Sequence, residues 1–169
     1  YTPWPLQASE TMPMDFGGKA AEHLTFITTH VIPFCESEYG FNSSAEKRVI
    51  GGYSLGGLFS LYATVNTDLF GNVLSCSSSL WYPDFLDYLK EHPFKANHLK
   101  LYMSVGDQEG TTATNLTADQ TSNTISLKEF YEPRFQAGDF QFTLEEGNHG
   151  TNISRRVERA VEWVEENSK

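Results

Sequence analysis

The chain has 169 residues, of which 39% are hydrophobic and 20% charged, and this composition is typical of one globular domain with a sizeable core. Its 22 Asp and Glu residues outnumber 12 Lys and Arg, which gives a formal charge of −10. Such an acidic chain is poorly suited to bind nucleic acid or an anionic membrane surface. No apolar run approaches the ~20 residues that span a bilayer. We therefore expect neither a nucleic-acid partner nor a membrane partner.

The first part of the chain is predicted to be an irregular segment followed by one helix. Residues 1–16 contain three prolines and read as a loop. A helix is predicted after Gly18, and Pro33 is expected to bend or end it. Its apolar face is predicted to consist of Ala20, Leu24, Ile27, Val31 and Phe34, which recur at spacings of three and four.

Strands and helices alternate through the rest of the chain. Strands are predicted over residues 48–53, 72–76, 99–105 and 140–144, and helices over residues 55–65, 84–91, 114–131 and 152–166. The buried face of the last helix is predicted to contain Ile153, Val157, either Ala160 or Val161, and Val164. Strict alternation predicts an α/β fold in which a parallel sheet has helices on both faces. In such sheets the active residues collect at the carboxyl ends of the strands.

A G-x-S-x-G pattern follows the first of these strands. It reads Gly52-Tyr53-Ser54-Leu55-Gly56, and Gly57 comes next. A sharp turn from strand to helix would expose the Ser54 hydroxyl in a strained backbone conformation, and both glycines are expected to prevent a clash there. The N–H of Leu55 would lie at a helix N-terminus, where it can donate to an oxyanion. The pattern thus predicts a nucleophile, and its alternative is a tight glycine-rich turn with a solvent-facing serine.

A serine nucleophile needs a base and an acid that orients the base. Of the five histidines, only His149 follows a predicted strand at its carboxyl end, and glycines flank its segment. Two acids, Asp107 and Glu109, follow the preceding strand. The chain order of serine, acid and histidine is the order of α/β-hydrolases. Without further information either acid could orient His149.

The run from Arg48 to Phe59 resembles the nucleophile elbow of the "putative esterase" family of α/β-hydrolases, which includes esterase D, enterobactin-esterase-like and feruloyl esterases. Residues 77–81 resemble a Ser-Pro-Ser-Leu-Trp segment of the enterobactin-esterase-like branch, and residues 146–150 resemble its histidine motif. The resemblance implies a three-layer α/β-hydrolase sandwich. Because relatives carry Gly-x-x-Asp or Gly-x-x-Glu after this strand, the resemblance favours Glu109 as the acid, with Asp107 second.

The resemblance also implies that part of the family fold is not in these residues. The family has further strands before the position that matches Tyr1, and a loop among them supplies a second oxyanion N–H. Only the carboxyl-terminal half of the sheet, about four strands, is evident here. We therefore expect residues 1–169 to form a single, partial α/β-hydrolase domain. We also expect it to be completed by more N-terminal sequence or by a partner chain, as in a homo-oligomer, unless the first loop has been repurposed.

The sequence thus predicts a serine hydrolase that cleaves small carboxylic esters, with an acyl-enzyme on Ser54, His149 as general base and Glu109 orienting it. No metal and no organic cofactor is expected. Three aromatic residues are candidates to line the substrate pocket, although core packing is the commoner fate of aromatics: Trp4, Tyr53 and Trp81. The alternatives are an acyltransferase with the same triad, or a catalytically incomplete binding or assembly module. The compartment is left open between the cytoplasm, which is slightly favoured, and the periplasm or secretion.

Overall fold

The structure, a computed structural model, describes residues 1–40, 44–111 and 117–167. Its strands are β1 Pro5–Leu6, β2 Phe16–Gly17, β3 Val49–Tyr53, β4 Asn72–Cys76, β5 Lys100–Gly106 and β6 Phe140–Glu145. Its α-helices are α1 Ala20–Phe26, α2 Ile32–Tyr39, α3 Leu55–Thr64, α4 Phe85–Glu91, α5 Gln120–Tyr131 and α6 Ile153–Asn167. The predicted helix over 114–131 begins later than expected, at Gln120, and its residues 114–116 lie outside the described residues.

The main sheet consists of four parallel strands in the order β3-β4-β5-β6. Its register pairs Tyr53 with Cys76, Cys76 with Ser104, and Gly106 with Glu145. The carboxyl ends of all four strands therefore meet at one edge of the sheet, as parallel pairing requires. Among the described residues no strand pairs with the outer side of β3. The predicted α/β class, with a parallel sheet of about four strands, is confirmed.

Helices cover both faces of this sheet and make three layers. On one face α1, α3, α4 and α5 enclose the larger core, whose fully buried side chains include Leu58, Val73, Phe85, Leu101 and Leu127. On the other face α6 lies against β4 and β5. The central strands are buried on both sides, which explains why β4 and β5 are apolar or small at nearly every position.

The N-terminal segment differs from its prediction in two ways. Residues 1–16 are not wholly irregular, because β1 and β2 form a short antiparallel pair. Pro33 does not end the helix, because the backbone stays helical through Val31 and Ile32 and continues as α2 to Tyr39. A π-helical turn at Ile27–Val31 joins α1 to α2. Its wider turn breaks the 3.6-residue period, so Ala20 is buried whereas Phe34 is 58% exposed.

The buried face of α6 agrees with the prediction only in part. Ile153, Val157 and Val161 are 37–42% exposed, while the side chains that face the sheet are Arg156, Ala160 and Val164. These three recur every four residues and form one helix face. The prediction was right for Val164 and for Ala160, the alternative to Val161, and wrong for Ile153 and Val157. Arg156 was missed because a search for apolar periodicity scores arginine as polar. The face of α6 that packs on the sheet thus includes one buried charged residue, Arg156.

Replacing Val164 by Ala should lower the free energy of unfolding by about 1–2 kcal/mol, because its methyl groups are buried beside Leu74 and Tyr102. The matched change Val161→Ala, on the exposed stripe, should alter it by less than about 0.5 kcal/mol. Urea denaturation of the two variants and the parent measures both values. Equal losses would contradict the observed orientation of α6.

Candidate active site

Ser54 lies at the turn between β3 and α3 in an unfavourable backbone conformation. Its φ is 58° and its ψ is −122°, a region that L-residues rarely occupy and that costs on the order of 1–3 kcal/mol. Three backbone hydrogen bonds hold it there. Its N–H donates to the carbonyl of Cys76, and its carbonyl accepts from the N–H groups of Leu58 and Ser79. This is the geometry of a nucleophile elbow.

Two glycines, Gly52 and Gly57, make the turn possible, whereas the motif names Gly52 and Gly56. A Cβ on Gly52 would lie 2.4 Å from the carbonyl carbon of Gly56, and a Cβ on Gly57 would lie 2.1 Å from Ser78 Oγ. A Cβ on Gly56 would meet no atom within 4 Å. The prediction that both motif glycines prevent a clash is therefore right for Gly52 and wrong for Gly56. Gly57 is the second close approach, because α3 passes directly over the loop after β4.

The structure brings together three residues that the sequence analysis singled out separately. Ser54 Oγ lies 3.0 Å from His149 Nε2, and His149 Nδ1 lies 2.7 Å from Glu109 Oε2. The residues follow β3, β6 and β5, so they meet where the parallel strands end. The His149 side chain is 47% exposed, while that of Glu109 has no exposed surface. The arrangement runs from a solvent-accessible hydroxyl through an imidazole to a buried carboxylate.

Asp107, the second candidate acid, takes a different place. Its carboxylate accepts a hydrogen bond of 2.8 Å from the N–H of Gly147. Its own N–H donates to the carbonyl of Glu145. Asp107 thus ties the loop after β5 to the loop that carries His149, through the backbone and not through the imidazole ring.

Glu109 is ionised at neutral pH although it is buried. Burial raises the pKa of this carboxyl, but hydrogen bonds from His149, Ser77 and the N–H of Gly106 outweigh it and hold the pKa below its ordinary value. Oε1 accepts from Ser77 Oγ at 2.6 Å and from the N–H of Gly106 at 2.7 Å. Arg156 Nη1 donates to the same oxygen at 2.9 Å. Oε2 is left to accept from His149.

Several side chains at the site were missed by the sequence analysis. Arg156 and Ser77 contact the Glu109 carboxylate, and Ser79 Oγ lies 3.3 Å from Ser54 Oγ. The two serines directly follow β4, and the rule that pointed to the other strand ends would have found them. Arg156 is a polar residue on the buried face of α6, and a search for apolar residues passes over it.

The predicted substrate-binding residues lie in different places. A cavity of about 690 Å³ adjoins Ser54, and its lining includes Tyr53, Leu55, Ile27, Phe59 and His23. Trp4 lines a separate cavity beside α4, and Trp81 packs edge-on against Phe16. Of the three predicted aromatics, the structure thus brings only Tyr53 to the cavity beside Ser54. Leu55 begins α3, so its N–H belongs to the first turn, which has no intrahelical acceptors.

Within the described ranges, no group of three or more His, Cys, Asp and Glu side chains is arranged to hold a metal ion. Over the same ranges, no helix is both long and apolar enough to traverse a bilayer.

Comparison with known proteins identifies the family. The model of the family described as "Putative esterase" matches residues 1–151. The chain belongs to this family. The predicted resemblance is confirmed, and the chain is placed among the esterases.

Individual relatives agree with the family model. An uncharacterized protein of Bacillus subtilis, YbbA, is 27% identical over 168 residues, and the match covers 97% of this chain. The iron(III) enterobactin esterase of Escherichia coli is 30% identical over 92 residues, which is 49% of this chain. Among solved structures, siderophore hydrolase EstA of Aspergillus nidulans has a TM-score of 0.76 at 22% identity and covers 99% of this chain. The enterobactin esterase of Shigella flexneri has a TM-score of 0.70 at 22% identity and covers 86% of it.

These relatives are longer than the chain. The match covers 67% of YbbA, 23% of the Escherichia coli esterase, 65% of EstA and 38% of the Shigella esterase. The predictions of a homo-oligomer or a completing chain, and of a second oxyanion donor from another segment, stay predictions.

Replacing Gly52 by Ala should lower the free energy of unfolding by at least about 2 kcal/mol, because the new Cβ would press on the backbone of Gly56. Gly56→Ala, in the same turn, should leave stability unchanged or raise it by up to about 1 kcal/mol, because alanine is favoured within a helix. Thermal unfolding of both variants distinguishes them. A destabilised Gly56→Ala variant would contradict the open space found there.

Proposed function

We propose that the chain hydrolyses carboxylic esters of small molecules through an acyl-enzyme on Ser54. One observation carries the proposal: Ser54 Oγ lies 3.0 Å from His149 Nε2, and the other ring nitrogen lies 2.7 Å from the buried Glu109 carboxylate. Serine, base and orienting acid at hydrogen-bond distance are the signature of nucleophilic acyl chemistry. Membership of an esterase family supports the same reaction class.

The tautomer of His149 follows from its neighbours. An ionised Glu109 can only accept, so His149 Nδ1–H donates to it and Nε2 is free to accept. Nε2 takes the Ser54 proton as Oγ attacks the ester carbonyl carbon. The carbonyl oxygen becomes an oxyanion, and the Leu55 N–H at the start of α3 is placed to donate to it. The imidazolium then gives its proton to the departing alcohol. A water molecule then attacks the acyl-enzyme, with His149 again taking and returning the proton, and the carboxylic acid leaves as Ser54 is regenerated.

The cavity beside Ser54 indicates what kind of ester fits. Its lining is largely apolar and aromatic, including Tyr53, Phe59 and Ile27. A volume of about 690 Å³ lies in the range of ordinary small-molecule sites. Structures with the same fold are described as siderophore hydrolases and as a ferulic acid esterase. We therefore propose short-chain and aryl esters as the substrate class.

Ser54→Ala and His149→Ala should each lower kcat for p-nitrophenyl acetate and butyrate by at least about 10³-fold, because they remove the nucleophile or the base. A fluorophosphonate probe should label the parent at Ser54 and leave Ser54→Ala unlabelled. Ser122→Ala, which changes an exposed serine on α5, serves as the matched control. Full ester hydrolysis by Ser54→Ala would refute the mechanism. Product partition with added alcohol tests the acyl-transfer alternative in the same assay.

Glu109→Gln should lower kcat by about 10²–10⁴-fold, because an amide can present the wrong hydrogen-bond partner to His149 Nδ1. Asp107→Asn should have a smaller effect, since this side chain contacts the N–H of Gly147 and not the imidazole. Steady-state kinetics of the two variants measures the difference. If Asp107→Asn were the more damaging change, the acid would have been misassigned.

A further inference from the structure

We propose that Arg156 is a positioning residue of this site, whose single guanidinium fixes both the Glu109 carboxylate and the loop that carries His149. The inference rests on the proposed function and deepens it. Arg156 lies on α6, which the motif of nucleophile, acid and base does not include. It reaches the site from beneath the sheet edge and does not line the cavity beside Ser54.

The two terminal nitrogens of the guanidinium donate hydrogen bonds to different segments of the chain. Nη1 donates to Glu109 Oε1 at 2.9 Å and to Ser77 Oγ at 3.1 Å. Nη2 donates to the carbonyl of Glu146 at 3.2 Å and to that of Asn148 at 3.1 Å. One rigid, planar group therefore sets the distance between the acid and the two residues that bracket Gly147, directly before His149. Lysine, with a single nitrogen, cannot span both segments.

Tyr53 completes the arrangement from β3. Its hydroxyl donates to the carbonyl of His149 at 2.6 Å and accepts from Arg156 Nη1 at 3.3 Å. Burial raises the pKa of this phenol, so the hydroxyl keeps its proton and acts as a donor to the loop. The carbonyls of Glu146, Asn148 and His149 are thus each held by a side chain. This loop cannot turn the imidazole away from Ser54 without breaking several of these bonds.

Packing alone does not explain a charged side chain at this buried position. Arg156 is 1% exposed and Glu109 is 2% exposed, and a buried ion pair is often no more stabilising than apolar side chains of the same volume. The neighbours of Arg156 on the same helix face are Ala160 and Val164, which pack well without charge. A methionine would fill a similar volume, but it would leave the buried Glu109 carboxylate without its charged partner. What only arginine provides here is the set of hydrogen bonds to the acid and to the His149 loop.

Loss of this guanidinium should therefore impair the reaction and spare substrate binding. Arg156→Met should lower kcat for p-nitrophenyl butyrate by about 10²-fold or more, because Glu109 loses a charged partner and the loop loses two donors. KM should stay within about threefold. Arg156→Lys should be nearly as impaired as Arg156→Met. The matched control is Arg155→Met, one residue away on α6, where the arginine pairs on the surface with Glu158 and Glu162.

A spectroscopic readout separates positioning from general loss of structure. In the parent, proton NMR should show a downfield resonance from the hydrogen bond between His149 Nδ1 and Glu109, assigned by its absence in His149→Ala. This resonance should be present in Arg155→Met and lost or shifted upfield in Arg156→Met and Arg156→Lys. Parent-like kcat together with an unchanged resonance in Arg156→Met would overturn the proposal.

One further variant, Tyr53→Phe, supplements Arg156→Lys in this test. If Arg156→Met fails to fold, the kinetics of Arg156→Lys and Tyr53→Phe test the proposal instead. Tyr53→Phe removes one oxygen and should reduce kcat by about fivefold, because the His149 carbonyl loses its donor. KM should change less than kcat, because the ring that lines the cavity is kept. Full activity in both would refute the role. Ser54→Ala reports on the proposed function separately: if it stays active the nucleophile is wrong, whereas the resonance still shows whether Arg156 orients His149.

Discussion

A carboxylate without exposed surface must find a donor for each oxygen, and this requirement at Glu109 organises the whole end of the molecule. Its donors come from the loop after β4, from β5, from the loop after β6 and from α6. Parallel pairing of the four strands brings these segments to one edge, and the hydrogen bonds then keep the carboxylate ionised. The same charge holds His149 in the tautomer that can accept a proton from Ser54. Fold, electrostatics and proposed chemistry therefore depend on one buried group.

Much of this arrangement could be predicted from the sequence, because it follows from local patterns and one rule of topology. Alternating helices and strands predict a parallel sheet, and the polar residues at strand ends then predict that Ser54, Glu109 and His149 meet. The choice between Glu109 and Asp107 could not be made from spacing alone. Both acids are within reach of the loop after β6, and only the path of the backbone decides that Asp107 contacts the N–H of Gly147 instead of the ring.

The parts that could not be predicted share a physical cause. A search for apolar periodicity detects neither irregular helical turns nor charged side chains in buried positions. The π-helical turn at Ile27–Val31 changes the number of residues per turn, so the stripe through Phe34 turns to solvent. On α6 the face that packs on the sheet begins with Arg156, which an apolar pattern does not count, although Ala160 and Val164 farther along that face were predicted. The second crowded glycine is Gly57 and not Gly56, because its contact with Ser78 depends on the path of α3 over the loop after β4, which is a tertiary feature.

The position of Arg156 along the chain has a consequence for how the molecule comes to be folded. The nucleophile, the acid and the base lie in contacts of high sequence separation, and the helix that supplies the guanidinium follows all three. Until α6 docks, Glu109 lacks the hydrogen bond from Arg156, and burial of a carboxylate with fewer donors is unfavourable. During synthesis the turn at Ser54 can form early, whereas the hydrogen bonds around Glu109 are complete only when α6 has docked. A chain in which α6 has not yet docked is therefore expected to lack the proposed activity.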